Sequence, residues 1–120
     1  MAISPAALAQ TLVARHRDQR AREQDRGREL LSLLLQQGVE LIRNAHAQRA
    51  WLIGSLAAGH FGTGSDVDLV VEGLSLERWP ELWAQLGDLL GVEIDLLRIE
   101  ELPDAFQERV RREGRVLHVA

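Results

Sequence analysis

The hydrophobic pattern changes its period near His46, and this change restricts the folds that the chain can adopt. Before His46, apolar residues recur every three or four positions, as they do on one face of a helix. After His46, short apolar and β-branched runs are separated by turn residues, which is typical of strands. The sequence therefore predicts a helical first part that is joined to a small sheet.

The first part predicts two helical segments. Ser4-Pro5 is typical of an N-cap followed by a proline in the first turn. Segment 15–28 mixes six Arg with acidic residues, which favours a solvated or partner-facing helix over a basic nucleic-acid arm. A more apolar helix is expected over 28–46. We expect a weak point at Gly27 and a second interruption at Gly38, because glycine destabilises a helix interior.

The second part predicts a sheet with interleaved helices. Strands are expected at 50–53, 67–71 and 92–98, with a short edge strand at 116–119, and helices at 77–90 and 103–113. These elements predict an α/β (α+β) fold, a small mixed sheet of three to four strands covered on one face by helices, with an N-terminal helical extension. The length suits one domain over 1–120, with a helical region at 1–48 and a core at 49–120.

Composition excludes several functional classes. The net charge of −4 argues against direct nucleic-acid binding. The absence of Lys excludes a P-loop, and the absence of Cys excludes disulfides and thiolate metal sites. No apolar run approaches the roughly 20 residues of a membrane span, and no basic segment precedes an apolar signal core, so we expect a cytoplasmic protein. The three tryptophans, Trp51, Trp79 and Trp83, are expected to pack in the core.

The segment after the first strand has the composition of a phosphate-binding turn. Gly54 allows a ligand to approach the backbone, and Ser55 places a hydroxyl where a helix is expected to begin. Free amides at a helix start favour a phosphate. Four glycines within residues 54–64 make the following loop easy to bend around a nucleotide.

Three carboxylates are expected to form a metal site. Asp66 and Asp68 are two residues apart at the start of a strand, so their side chains point to the same face. Asp95 lies on a strand that can adjoin the first. Such a set can hold two Mg²⁺ ions, with Asp95 as the base for an attacking hydroxyl. Each of these acidic residues, taken alone, is also explained as a solvated residue of a strand. Their order and placement together favour a catalytic metal site.

The motif resembles the signature of the DNA polymerase beta superfamily of nucleotidyltransferases. That signature is Gly-Ser, ten residues, then Asp-x-Asp, and residues 56–65 supply the ten. Asp95 matches the third acidic residue, and 102–117 resembles the end of the minimal nucleotidyltransferases. The resemblance covers about residue 50 to the C-terminus. It implies that Asp66, Asp68 and Asp95 are catalytic metal ligands, and that the nucleotide is bound by Gly54, Ser55, Gly59 and Ser65.

The chain departs from many minimal nucleotidyltransferases at one position. Ala58 stands directly before the second glycine of the motif, where those proteins commonly carry an Arg. If that Arg binds the triphosphate, the resemblance leaves two replacements open in this chain, which are His60 or an Arg from a partner.

The resemblance also implies a reaction and a partner. Minimal nucleotidyltransferases are commonly antitoxins of HEPN toxins, and can transfer AMP from ATP to a Tyr of the toxin. This chain has no Tyr, so a tyrosyl acceptor must come from a partner, which suggests a hetero-oligomer. Two alternatives remain open, a module that neutralises its partner by contact alone and a transferase acting on a small molecule such as an aminoglycoside.

Overall fold

The structure, a computed structural model, describes residues 4–62 and 66–120. The helices are α1 (Pro5–Leu33), α2 (Val39–Asn44), α3 (Gly54–Ala58), α4 (Trp79–Leu90) and α5 (Asp104–Glu113). The strands are β1 (Arg49–Ile53), β2 (Val67–Glu72), β3 (Ile94–Arg98) and β4 (Arg115–Val119). A π-helical turn, Leu34–Gly38, joins α1 to α2, and a 3-10 turn, Ile99–Glu101, follows β3.

The four strands form one mixed sheet in the order β3-β2-β1-β4. β1 is antiparallel to β2 and β4, whereas β2 and β3 are parallel and are connected through α4. The predicted mixed sheet is thus confirmed, and the expected edge strand at 116–119 is present as β4. The third strand begins at Ile94, two residues later than predicted from residue 92.

Helices pack on both faces of the sheet, so the prediction of a single covered face was wrong. The larger core lies between the sheet and helices α1, α2 and α4, and includes Leu30, Ile42 and Leu86. A smaller core on the other face contains Trp51, Val70, Ile99 and Val110. Strand alternation explains this division, because neighbours such as Val70 and Val71 point to opposite faces. The short helix α5 packs on this face through Val110.

The first helix runs through Gly27 without a break, which corrects the predicted weak point. Gly27 is buried, and a Cβ atom there would lie 3.0 Å from the Cβ of Phe61. The glycine therefore allows Phe61, which follows α3, to pack closely against α1. The helical backbone also continues through Gly38, so the expected break is absent and the helix only changes from π- to α-helical hydrogen bonding there. A Cβ at Gly38 would lie 2.7 Å from Leu34 Cδ1.

The beginning of α1 projects from the rest of the molecule. Ser4 accepts a hydrogen bond from the Ala7 amide, so the predicted N-cap is confirmed. Every residue of segment 4–22, called here the N-terminal arm, is exposed, and the molecule is 64 Å long but only 30 Å and 19 Å across. No helix within the described residues has the length and apolar character to cross a membrane.

Two tryptophans of α4 pack against the larger core, as predicted, and also cover the open edge of β3. Trp79 Nε1 donates to the Leu96 carbonyl at 2.8 Å, and Trp83 Nε1 donates to the Ile94 carbonyl at 2.7 Å. These bonds satisfy acceptors that have no strand partner, since β3 is at the end of the sheet. The third predicted core tryptophan, Trp51, is 3% exposed on the other face.

Candidate active site

Asp68 lies at the centre of a row of residues across the sheet. It is opposite Ile53 on β1 and opposite Asp95 on the parallel strand β3. Because side chains on a strand alternate, Asp68 points to the same face as Val70, which is the face that α5 partly covers. The parallel register thus brings together two carboxylates that are 27 residues apart in the sequence.

Asp66 completes the acidic group from the residue position immediately before β2. It is exposed, as is Asp95, whereas Asp68 is half-buried. The charges of Asp95 and Asp66 both contribute to the raised pKa of Asp68. The three predicted catalytic carboxylates therefore lie near one another.

Burial is the largest cause of the raised pKa of Asp68, because it disfavours the charged carboxylate. The negative charge of Asp95 comes next, then that of Asp66, and a hydrogen bond shared with Asp95 acts in the same direction. All these effects penalise ionisation of Asp68. A cation placed among the three carboxylates would reverse the electrostatic part of this penalty.

Gly54 allows the turn after β1 to pass directly beside Asp68. Its φ of +76° lies in the left-handed region, which strongly favours glycine. A Cβ at this position would also lie 2.5 Å from Asp68 Oδ2. Both the backbone conformation and the carboxylate therefore exclude a side chain at this position.

The remaining predicted nucleotide ligands lie in different places. Ser55 is half-buried in the first turn of α3, and its carbonyl accepts from the His60 amide at 2.9 Å. Gly59 ends α3 with φ +78° and lines a hollow against α1, away from Asp68. His60 is exposed after this turn. Ser65, also predicted to bind nucleotide, lies outside the described residues.

A cleft of about 490 Å³ opens beside Gly54, between α3 and α5. We call it the α3–α5 cleft. One wall is formed by Phe106, Arg109, Val110 and Glu113, which share one face of α5 through helical spacing. The other residues that line it are Ile53, Gly54, Ala57, Ala58, Gly114 and Arg115. Sequence analysis gave Arg109 and Arg115 no role, although the 106/109/110/113 spacing was a detectable signal of a common face.

The acidic group consists of oxygen donors alone. Within residues 4–62 and 66–120, no three His, Cys, Asp or Glu side chains are arranged closely enough to form a metal site. Asp66, Asp68 and Asp95 would therefore have to reorient to share an ion. Carboxylate oxygens are the ligands that Mg²⁺ prefers, so the donor chemistry fits the predicted metal.

The fold and the motif define a family. The model of the polymerase beta nucleotidyltransferase family matches residues 38–120. This match includes β1 to β4 and all three carboxylates, and it spans more than half of the chain. The chain therefore belongs to the polymerase beta nucleotidyltransferase family, as its Gly-Ser and Asp-x-Asp motif predicted.

Solved structures relate the chain more specifically to the minimal nucleotidyltransferases. A structure assigned as a minimal nucleotidyltransferase is 31% identical, with 72% of this chain and 91% of that chain covered and a TM-score of 0.65. A chain of a toxin–antitoxin complex with AMP-PNP is 24% identical, with coverages of 68% and 70% and a TM-score of 0.60.

A further similar structure is a tri-AMPylated Shewanella oneidensis HEPN toxin in complex with an MNT antitoxin. The match has 21% identity, coverages of 74% of this chain and 72% of that chain, and a TM-score of 0.57. At this identity, as at 24%, the likeness shows the fold. Among curated proteins, none matches this chain at a significant level of sequence similarity.

Proposed function

We propose that this chain is a Mg²⁺-dependent enzyme that transfers AMP from ATP to a tyrosine of a HEPN toxin, and thereby acts as the antitoxin. The observation that carries this proposal is the acidic group. Asp68 and Asp95 are register partners on one sheet face, Asp66 adds a third carboxylate, and the Gly54 backbone lies directly beside Asp68.

Asp66, Asp68 and Asp95 would hold the metal. Bound there, Mg²⁺ would offset the charge of the triphosphate and favour ionisation of the attacking hydroxyl. The electrostatics of the site suit this role, because the charges of Asp95 and Asp66 oppose the ionisation of Asp68. A divalent cation would remove that opposition.

The chain's own residues would orient the reactants and accept a proton. Gly54 would let the triphosphate approach the turn closely, and Ser55 would donate its hydroxyl to a phosphate oxygen. Asp95 is exposed and can be reached by an acceptor from solvent. In the transfer, the acceptor oxygen bonds to the α-phosphorus, pyrophosphate leaves with the electrons of the broken P–O bond, and Asp95 takes the hydroxyl proton.

Two observations support a protein acceptor on a partner. The sequence contains no Tyr, so a tyrosyl acceptor is external. Asp66 and Asp95 are also exposed, so a side chain of a partner can reach them from solvent. Structures similar in fold include a complex of an AMPylated HEPN toxin with an MNT antitoxin, which makes a HEPN toxin the best candidate partner.

The test is incubation of the chain with Mg²⁺, α-labelled ATP and a HEPN toxin encoded beside it. We expect label on the toxin, loss of label in EDTA, and loss with Asp66→Ala plus Asp68→Ala. Arg112→Ala serves as a control, because Arg112 is exposed on α5 and does not line the α3–α5 cleft. Label transfer that survives the double aspartate substitution would contradict the proposed chemistry.

Neutralisation by contact alone is the second candidate, and the N-terminal arm is the observation that favours it. The arm exposes Leu8, Leu12 and Val13, each about half accessible, on a helix that contributes nothing to the core over residues 4–22. This candidate predicts that the double aspartate variant still suppresses the toxin in cells. A variant that binds the toxin but fails to suppress it would support catalysis instead.

A further inference from the structure

The α3–α5 cleft is continuous with the acidic group. Gly54 lines the cleft, and its backbone also lies against Asp68, where a Cβ would come within 2.5 Å of Oδ2. Ile53 and Val110, two other lining residues, belong to the core on the same face of the sheet as Asp68. A ligand at the carboxylates can therefore extend past Gly54 into the cleft without crossing the sheet.

Two arginines give the cleft its potential for binding an anion. Arg115 lines it and makes no ion pair with any residue in the described part of the chain. Arg109 also lines it, and its Nε atom is 3.1 Å from Glu113 Oε2. Glu113 has a second partner in Arg112 at 3.5 Å, so it keeps a counter-charge if Arg109 turns to another anion. The Arg109–Glu113 pair is exposed, and replacing one partner of such a pair by another anion costs little free energy.

The order of residues across the sheet gives the cleft a direction. Asp95 on β3 is followed by Asp68 on β2 and then by Ile53 and Gly54 beside the cleft. In phosphoryl and nucleotidyl transfer, the attacking and leaving oxygens lie roughly in line on opposite sides of the phosphorus. If Asp95 receives the proton of the acceptor, the leaving group lies on the side of Gly54.

We propose that the α3–α5 cleft binds the β- and γ-phosphates of the nucleoside triphosphate, and then the released pyrophosphate, through Arg109 and Arg115. This inference rests on the proposed function, because it assumes that nucleotidyl transfer takes place at the carboxylates. The P–O bond to the β-phosphate breaks, and the electron pair departs with pyrophosphate toward the two guanidinium groups. Arginine suits this group, since its planar fork matches phosphate oxygens.

The experiment is a calorimetric titration of the full chain with inorganic pyrophosphate in the presence of Mg²⁺. We expect Arg109→Ala plus Arg115→Ala to weaken pyrophosphate binding about tenfold or more, the usual consequence of losing charged hydrogen bonds. Arg43→Ala is the control, because it removes an exposed arginine of α2 that does not line the cleft. The double variant should retain the wild-type unfolding midpoint, since both arginines are exposed.

The outcomes distinguish this site from the proposed function. Pyrophosphate binding that depends on both arginines, in a chain that transfers no AMP, would support the site and contradict the function. Unchanged pyrophosphate affinity in the double variant, or no binding by the wild-type chain, would overturn the site. A variant that instead loses affinity for adenosine, which has no phosphates, would assign the cleft to the nucleobase and also overturn the proposal.

Discussion

At position 54, the Asp68 carboxylate lies so close to the backbone that there is no room for a side chain. Gly59 provides a comparison within the same motif, because its φ of +78° is nearly that of Gly54 at +76°. A Cβ at Gly59 would meet no atom within 4 Å, whereas one at Gly54 would meet the Asp68 carboxylate. The two glycines thus separate the cost of backbone strain from the cost of crowding the site.

Alanine substitution should expose this difference. Gly59→Ala is expected to lower the free energy of unfolding by about 1 kcal/mol, the usual cost of a left-handed non-glycine residue. Gly54→Ala should lower it further and displace Asp68, because it adds the contact with Oδ2. Urea unfolding of both variants measures the two costs, and equal losses would contradict a crowded position 54.

The raised pKa of Asp68 has a consequence for stability. The folded chain holds a proton on this carboxyl more tightly than the unfolded chain, so ionised Asp68 destabilises the fold. Asp68→Asn should therefore raise the unfolding temperature at pH 7 in EDTA, while abolishing nucleotidyl transfer. The gain should shrink as pH falls through the raised pKa and vanish below the ordinary value of 3.8.

Thermal unfolding at several pH values checks this expectation. Asp66→Asn is the matched control, since Asp66 is exposed and should give a smaller gain. A loss of stability in Asp68→Asn at neutral pH would mean that the carboxylate is stabilising in the folded chain, against the direction of its pKa. Added Mg²⁺ should stabilise the wild-type chain more than Asp68→Asn, because a ligand that binds the native state raises its stability.

Among the elements, α4 contributes to the sheet through hydrogen bonds as well as apolar contacts. Leu82 and Leu86 are buried in the larger core, and Trp79 and Trp83 carry their indole N–H groups to the carbonyls of β3. The two rings are in contact, with centroids 5.8 Å apart. The two indoles thus cover the outer edge of β3, the strand that holds Asp95, on the side away from β2.

Removal of these donors should loosen β3. Trp79→Phe and Trp83→Phe are each expected to lower the free energy of unfolding by about 1 to 2 kcal/mol, because a carbonyl loses its partner and a ring shrinks. The double variant should depart from additivity, since the rings touch. A double-mutant cycle by urea unfolding measures this coupling, and purely additive losses would argue against it.

At the scale of the whole molecule, the arm and the catalytic region are largely separate. The family model begins at residue 38, and residues 4–22 are exposed throughout. Glu23, the residue directly after the arm, is half-buried, and Gly27 and Leu30 are the buried residues of α1. The helix therefore has an anchored end that supports the sheet and a free end that suits a partner.

Deletion of residues 1–22 tests this division. The unfolding midpoint should stay within about 2 °C of the full chain, because no core contact is lost. Association with the HEPN toxin should weaken if the arm is partner-facing, and size-exclusion chromatography of the mixed proteins measures this. A large loss of thermal stability would show that the arm is part of the folded unit rather than an appendage.

The sequence by itself determined the local features of the site and most of the elements. Gly54-Ser55 and Asp66/Asp68 are close in the chain, so their spacing alone placed them at a turn and at the start of a strand. The alternation of Glu93 and Asp95 with apolar residues likewise indicated a half-buried strand. These predictions succeeded because they depend on backbone period and turn chemistry, which act over a few residues.

Only the tertiary structure decided which residues become neighbours in the sheet and which face of the sheet each helix covers. The pairing of Asp68 with Asp95 depends on the parallel register of β2 and β3, and the position of α5 depends on which sheet face Trp51 and Val110 bury. Neither is encoded in a short window, because a helix with one apolar stripe can pack on either face of a sheet. The same ambiguity explains why one covered face was predicted, and why the α3–α5 cleft with Arg109 was not. Sequence periodicity specifies which residues are buried, whereas long-range packing selects their neighbours.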